Sequence, residues 1–269
     1  MTRSEERLFP EGPHRRAYLA EVKELSEDQG VMESQKVGID IAYRPKDSGL
    51  YPSPSDEYPS DSFAGYFREV IPSEGHDLGR YLKKVFKNGG AIGIEFGGQG
   101  KRLFMDLNEK YPGLFSEFFG IALGEYEEDK KPAGHTFIAG DLTVPETYRA
   151  LEEKLGGRKA NFIVERMVRG LSYVPFLEPA RMAEILGKWY ELLDTDGILL
   201  LEIPSLLRPL QEAWVAHLRS VAPKTLEVSS VHDANGEDGL LLIRKLPGAP
   251  ESLPLLDIQT VKRLPREYF

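Results

Sequence analysis

The sequence predicts an α/β protein with a doubly wound, mainly parallel sheet and a terminal antiparallel hairpin. Three observations carry this expectation. From residue 78 onward, short apolar runs of strand length alternate with segments whose apolar residues recur at helical spacing. One run, Ile198-Leu199-Leu200-Leu201-Glu202-Ile203, is almost continuously apolar, as a strand covered on both faces must be. The last two strand-like segments, Thr225 to His232 and Leu240 to Leu246, flank Asn235-Gly236, a pair suited to a tight hairpin turn.

Taken in order, residues 1–35 are polar, with one amphipathic stretch in which Leu19, Val22 and Leu25 fall at helical spacing. Lys36 to Tyr43 alternates and predicts a short strand. Residues 44–75 are rich in Pro, Ser, Asp and Tyr, so they read either as an insertion or as a flap. The aromatics Tyr43, Tyr51, Tyr58, Phe63, Tyr66 and Phe67 favour a flexible flap that packs on something.

Leu78 to Phe86 predicts a helix, stopped by Asn88-Gly89-Gly90. Ala91 to Phe96 is a strand that runs into Gly97-Gly98-Gln99-Gly100. Lys101 to Lys110 is a helix with Leu103, Phe104 and Leu107 inward, ended by Tyr111-Pro112-Gly113. Ser116 to Leu123 and His135 to Ala139 are further strands. Between them, Gly124 to Gly134 is densely charged and reads as loop where a helix is expected. Thr143-Val144-Pro145-Glu146 predicts a helix start, with Thr143 as cap and Glu146 completing a capping box; Tyr148, Leu151 and Leu155 face the core.

Asn161 to Glu165 is the fourth strand. A helix from Pro179 aligns Met182, Ile185, Leu186, Trp189 and Leu193, and Asp194-Thr195-Asp196-Gly197 breaks it before the apolar run. A helix over Pro209 to Val221 buries Leu210, Trp214 and Leu218. The domain organisation expected is an extension over residues 1–77, a Rossmann-type domain over 78–246 and a tail over 247–269.

Composition narrows the function. The chain has 269 residues, enough for one large domain, and no cysteine. Disulfides, thiolate zinc sites and cysteine nucleophiles are thereby excluded. The net charge of −9 disfavours a nucleic-acid phosphate backbone as partner. No apolar stretch approaches the roughly 18 residues of a membrane span, and the charged start is no secretory signal, so a cytoplasmic protein is expected, with no membrane partner. His14, His76, His217 and His232 are scattered and His135 begins a strand, so no metal site is expected.

In an open parallel sheet, ligands bind beyond the carboxyl ends of the strands. The first such end is Glu95-Phe96-Gly97-Gly98-Gln99-Gly100-Lys101. Its glycines permit positive φ and close approach, and the following helix directs free N–H groups to the same place.

The span from Leu78 to Leu246 resembles the class I, Rossmann-like S-adenosylmethionine-dependent methyltransferases. The resemblance rests on four segments: Ile94-Glu95-Phe96-Gly97-Gly98-Gln99-Gly100, Phe137-Ile138-Ala139-Gly140-Asp141-Leu142, Asn161-Phe162-Ile163-Val164-Glu165-Arg166, and the turn and strand from Leu192 to Glu202. The terminal hairpin is similar to the antiparallel strand that the family adds at that edge. The resemblance implies S-adenosylmethionine as cofactor, held by Glu95, Gly97, Gly98 and Gly100, with Asp141 and Leu142 at the adenine. It implies an acceptor site near Glu165, Arg166 and Tyr173, with a small molecule favoured over nucleic acid.

Two departures stand out. Gln99 and Lys101 replace glycines of the usual turn. Ala122 falls where the family commonly places the acid that holds the ribose, and Glu125 is the nearby substitute. Methyl transfer from a sulfonium demands alignment more than acid–base chemistry, which accounts for the lack of any recognisable triad. The rival readings are a non-catalytic binding or scaffold protein on the same fold and, disfavoured because Leu103 stands at the third position of G-x-G-x-x-G, a nicotinamide-dependent oxidoreductase.

Overall fold

The computed structural model describes residues 60–72, 74–122, 132–142, 144–165, 179–204, 208–232, 238–254 and 256. Seven strands form one sheet: β1 (Ala91–Phe96), β2 (Phe115–Ala122), β3 (His135–Ala139), β4 (Ala160–Glu165), β5 (Leu193–Pro204), β6 (Leu226–His232) and β7 (Asp238–Lys245). Their order across the sheet is β3-β2-β1-β4-β5-β7-β6. Pairings among β1 to β5 are parallel; β7 pairs antiparallel with both β5 and β6. The doubly wound, mainly parallel sheet and the terminal antiparallel hairpin expected from the sequence are both present.

Alternation along the strands sorts their side chains onto two cores. Ile94, Phe96, Ile163, Leu199 and Leu201 pack against one layer of helices: α4 (Pro145–Leu155), α5 (Pro179–Leu192) and α6 (Arg208–Val221), which bring Tyr148, Leu151, Trp189, Trp214 and Leu218. Phe162, Val164, Ile198 and Leu200 pack against the other: α1 (Ser60–Tyr66), α2 (Leu78–Val85) and α3 (Arg102–Lys110), with Phe63, Phe67, Leu82, Leu103 and Phe104. β1 is buried along its whole length, as a central parallel strand should be.

Several boundaries differ from expectation, each for a packing reason. Part of the expected flap is core. Residues 60–66 are helical, and Phe63, Phe67, Val70 and Ile71 are buried beside Leu78 and Leu82, because four apolar side chains at near-helical spacing outweigh the polar composition around them. The folded unit therefore begins before residue 78. It also runs past residue 246: Leu253 is buried, Trp214 Nε1 donates to the Pro254 carbonyl (3.0 Å), and the Tyr190 hydroxyl donates to that of Pro250 (2.9 Å).

The helix over residues 145–155 has Val144 at its cap position, with no side-chain cap bond; the Thr143 side chain of the expected capping box lies outside the described residues. The break at Asp194–Gly197 is a bulge within β5. Leu193 pairs with Ala160, pairing resumes at Phe162 and Ile198, and Asp196 takes a φ of 63° to accommodate the extra residues. The amphipathic segment at 16–26, the strand at 36–43, the Thr143 side chain and the loop assigned to residues 124–131 lie outside the described residues. Among the described residues no helix is long and apolar enough to cross a membrane.

Because Phe67 is 1% exposed within the core formed with α2 and α3, its role is measurable. Phe67→Ala is expected to destabilise the protein by about 3–5 kcal/mol in urea unfolding. A surface flap would give less than about 0.5 kcal/mol.

Candidate functional site

Three central strands carry a glutamate at or near the C-terminal end of an apolar run: Glu95 one residue before the end of β1, Glu165 at the end of β4 and Glu202 two residues before the end of β5. All three glutamates are buried. In register, Glu95 pairs with Val164 and Phe96 with Glu165, so Glu95 and Glu165 sit one position apart on adjacent strands and point to opposite faces of the sheet.

Glu95 organises the turn that follows β1. Its Oε2 accepts the N–H of Gly100 (2.9 Å). The space beside Gly98 is taken by the same carboxylate, for a Cβ there would lie 1.8 Å from Glu95 Oε1. The turn is pressed flat against β2: a Cβ at Gly120 would sit 1.8 Å from the Gln99 carbonyl oxygen. From the other side His135, 2% exposed, places Nε2 2.8 Å from that same oxygen. A carbonyl only accepts, so Nε2 carries the proton. Gly98 thus makes room for Glu95. α3 begins at Arg102 with Lys101 as its cap.

On the opposite face an aromatic relay joins the ends of β1 and β3. Phe96 stacks on Trp189 (centroids 4.7 Å, 12° between planes). Trp189 Nε1 donates to the Tyr148 hydroxyl (3.1 Å), which donates to the Leu142 carbonyl (2.8 Å). Asp141 begins the connection to α4, its carbonyl accepting from Thr147 Oγ1 (2.6 Å) and Val144 N–H (3.1 Å). Ala122, at the end of β2, accepts the Gly140 N–H (3.0 Å). Burial pushes the Tyr148 phenol above its ordinary range, and the charges of Asp141 and Glu165 add to the rise.

Glu165 is the most unusual group. Burial pushes its carboxyl up to about 8, offset only in part by the backbone N–H of Glu202, which donates to it. Its Oε2 has no hydrogen-bond partner. Glu202 itself is 6% exposed. Among the described residues no three His, Asp or Glu side chains group as metal ligands.

Of the residues singled out from sequence, Glu95, Gly98 and Gly100 are in contact in the turn after β1, and Glu165 lies at the end of the adjacent strand β4, in register with Phe96. Asp141 and Leu142 lie two strands away, beyond β3, and connect to Phe96 through Tyr148 and Trp189. Glu125, Arg166 and Tyr173 lie outside the described residues. The sequence reading gave Glu202, His135 and Tyr148 no site role. The repeated apolar-Glu strand ending was a usable signal for Glu202. No local signal marks His135 or Tyr148, because each acts through a contact more than 35 residues away, to Gln99 and to Trp189.

No protein-family model matches the chain, and no curated protein matches it. Solved structures do resemble it. One is a plantazolicin methyltransferase in complex with SAH, at 12% identity over 86% of this chain and 99% of that one, TM-score 0.49. Another is an rRNA methylase from Streptococcus thermophilus, at 11% identity over 62% and 93%, TM-score 0.40. A third is the N-methyltransferase NodS from Bradyrhizobium japonicum, at 15% identity over 62% and 94%, TM-score 0.37.

Two outcomes follow from this geometry. Gly98→Ala drives the Glu95 carboxylate off the Gly100 N–H and leaves a buried donor unpaired, an expected loss of about 1–3 kcal/mol in urea unfolding. In a Glu95→Ala background the loss should shrink, giving a coupling of about 0.5–3 kcal/mol; full additivity would disprove the contact.

The second outcome concerns pH. The unfolded Glu165 carboxyl titrates near its ordinary 4.5 and the folded one near 8, so between these values the folded state holds the extra proton. Stability contributed by the neutral form is complete below about pH 4.5 and declines as pH rises to about 8. Glu165→Gln should remove that decline. Denaturant midpoints measured across this range in both proteins provide the check, and parallel profiles would refute it.

Proposed function

We propose that the protein binds S-adenosylmethionine at the glycine turn after β1 and transfers its methyl group to a small-molecule acceptor beside β4. The observation that carries this reading is the acidity of the strand ends: the buried carboxyls Glu95, Glu165 and Glu202 lie at or close to the C-terminal ends of β1, β4 and β5. A dinucleotide would bring its anionic pyrophosphate to this acidic edge, an unfavourable approach. A sulfonium cation suits it. The same acids, with the net charge of −9, disfavour a nucleic-acid acceptor.

In this reading Glu95 keeps the turn from Gly97 to Gly100 in shape, and Asp141 and Leu142 stand at the adenine. Glu165 lies on the acceptor side, with Arg166 and Tyr173 as further acceptor contacts and Glu125 as the ribose partner. When bound, the cofactor supplies a methyl group activated by positive sulfur. The residues of this chain hold the two reactants in line and exclude water, which is the main requirement of such a displacement. Phe96, Trp189 and Tyr148 fill the space beneath, giving the strand ends a rigid apolar floor.

Titration calorimetry of the full chain with S-adenosylmethionine, S-adenosylhomocysteine and NADH tests the assignment. Heat is expected with the first two and none with NADH. No heat from either adenosyl compound would favour the non-catalytic binding protein, a reading that draws on Ala122 at the end of β2 and on the carboxylate filling the turn. Heat with NADH alone would favour the oxidoreductase.

A further inference from the structure

We infer that Glu165 recognises a protonated amine on the methyl acceptor and takes the proton that frees its nitrogen lone pair. The inference rests on the proposed methyl transfer and deepens it by naming the acceptor class.

The argument begins with an incomplete set of bonds. The Glu165 carboxyl is 3% exposed, accepts one bond from the Glu202 N–H, and leaves Oε2 without a partner. Buried carboxyl oxygens are seldom left so, because an unmade hydrogen bond carries the full cost of desolvation. The surroundings do not complete the set. Its neighbours are Glu202 on β5, whose backbone N–H supplies the one bond, and Tyr148 of α4, a phenol whose titration the Glu165 charge raises. Neither brings a positive charge to it. Among the described residues no lysine or arginine pairs with Glu165.

Position supplies the second half. Glu165 ends β4 in register with Phe96, the residue that leads into the glycine turn. A group bound at Oε2 therefore lies beside the proposed methyl donor. An ammonium both donates to Oε2 and compensates the carboxylate formed as the carboxyl gives up its proton; a carboxylate, a phosphate or an alcohol brings no positive charge to do so. The elevated carboxyl adds to this. Held largely neutral at pH 7 in the free protein, it exchanges its proton for the ligand's cation on binding.

The step balances. The bound R–NH3+ passes one proton to the Glu165 carboxylate, leaving R–NH2 with a free lone pair. That pair forms the new N–C bond to the methyl carbon as the C–S bond breaks, its electrons remaining on sulfur. The products are R–NH2+–CH3 and S-adenosylhomocysteine. Glu165 keeps that proton as the methylated ammonium leaves and so returns to its neutral free state; the one proton lost per turnover is the one released to solvent when the ammonium binds.

Three probes of one shape separate the possibilities: benzylammonium, benzyl alcohol and benzoate, each titrated into the full chain saturated with S-adenosylhomocysteine. Benzylammonium is expected to bind at least tenfold tighter than the other two. Its affinity should rise roughly tenfold per pH unit up to about pH 8 and then level, with one proton released below that point. Glu165→Gln should abolish both the preference and the pH dependence while S-adenosylhomocysteine affinity stays within twofold. This variant copies the neutral carboxyl in shape, and the wild-type pH profile gives a reading that needs no variant at all.

Equal binding of the alcohol, tighter binding of benzoate, or a preference that survives Glu165→Gln would each overturn the inference. So would a variant that loses S-adenosylmethionine but keeps S-adenosylhomocysteine, since Glu165 would then serve the sulfonium. Failure of S-adenosylhomocysteine to bind at all would instead sink the proposed function. Benzylammonium titrated into the free chain would then still test the carboxylate.

Discussion

Glu95 is at once the last inward residue of the most buried strand and the underside of the turn that follows. A carboxylate that deep needs partners, and one is the backbone N–H of Gly100, reached only if the chain doubles back over it. That single demand shapes the local structure. Gly98 must lack a side chain because the carboxylate lies where its Cβ would be. The Gln99 carbonyl is thrown down against β2, where Gly120 and His135 receive it. The start of α3, and with it the direction of Leu103 and Phe104 into the core, follows from where the turn ends. A charge-assisted bond in a water-poor setting is strong enough to impose this, and costly enough when broken to keep it.

The two faces of the sheet divide the work at the site. The face carrying Glu95 supplies the turn. The face carrying Phe96 supplies rigidity, through the stack on Trp189 and the relay from its indole N–H to Tyr148 and Leu142. Strand β1 serves both, since successive side chains point to opposite faces. The consequence is mechanical. The connection after β3, two strands from β1, is referenced to the same aromatic cluster that sits beneath the glycine turn. Elements far apart in sequence are thereby held in one frame, as any reaction that depends on alignment requires.

Glu165 belongs to neither support. It makes one backbone bond, burial raises its carboxyl, and its second oxygen is unused. Structural carboxylates, such as Glu95 in the turn, have their oxygens engaged; groups that act on ligands are the ones whose folded surroundings leave them unsatisfied. This contrast between two glutamates on adjacent strands separates scaffold from chemistry within the proposed site.

Much of the architecture is written locally. The run at 198–202 is buried on both faces, Ala91–Phe96 and His135–Ala139 begin and end where the pattern places them, and the hairpin forms as β6 and β7. These features depend on burial and periodicity, which act over a few residues. The glycine turn was legible for the same reason. What tertiary structure alone decided is where unlike segments meet. Residues 60–71 look like loop by composition, yet Phe63, Phe67, Val70 and Ile71 find an apolar surface on α2 and α3 that composition does not reveal. The Asp141 carbonyl ahead of α4 accepts both the Val144 N–H and the Thr147 hydroxyl, a contact that only the folded connection brings about. His135 reads as a residue at the wrong end of a strand until β3 is laid beside β2 and its ring reaches the Gln99 carbonyl. Sequence periodicity determines which side chains are buried. Only the register of strands and the seating of helices determine which buried polar atoms meet a partner and which, like Glu165 Oε2, do not.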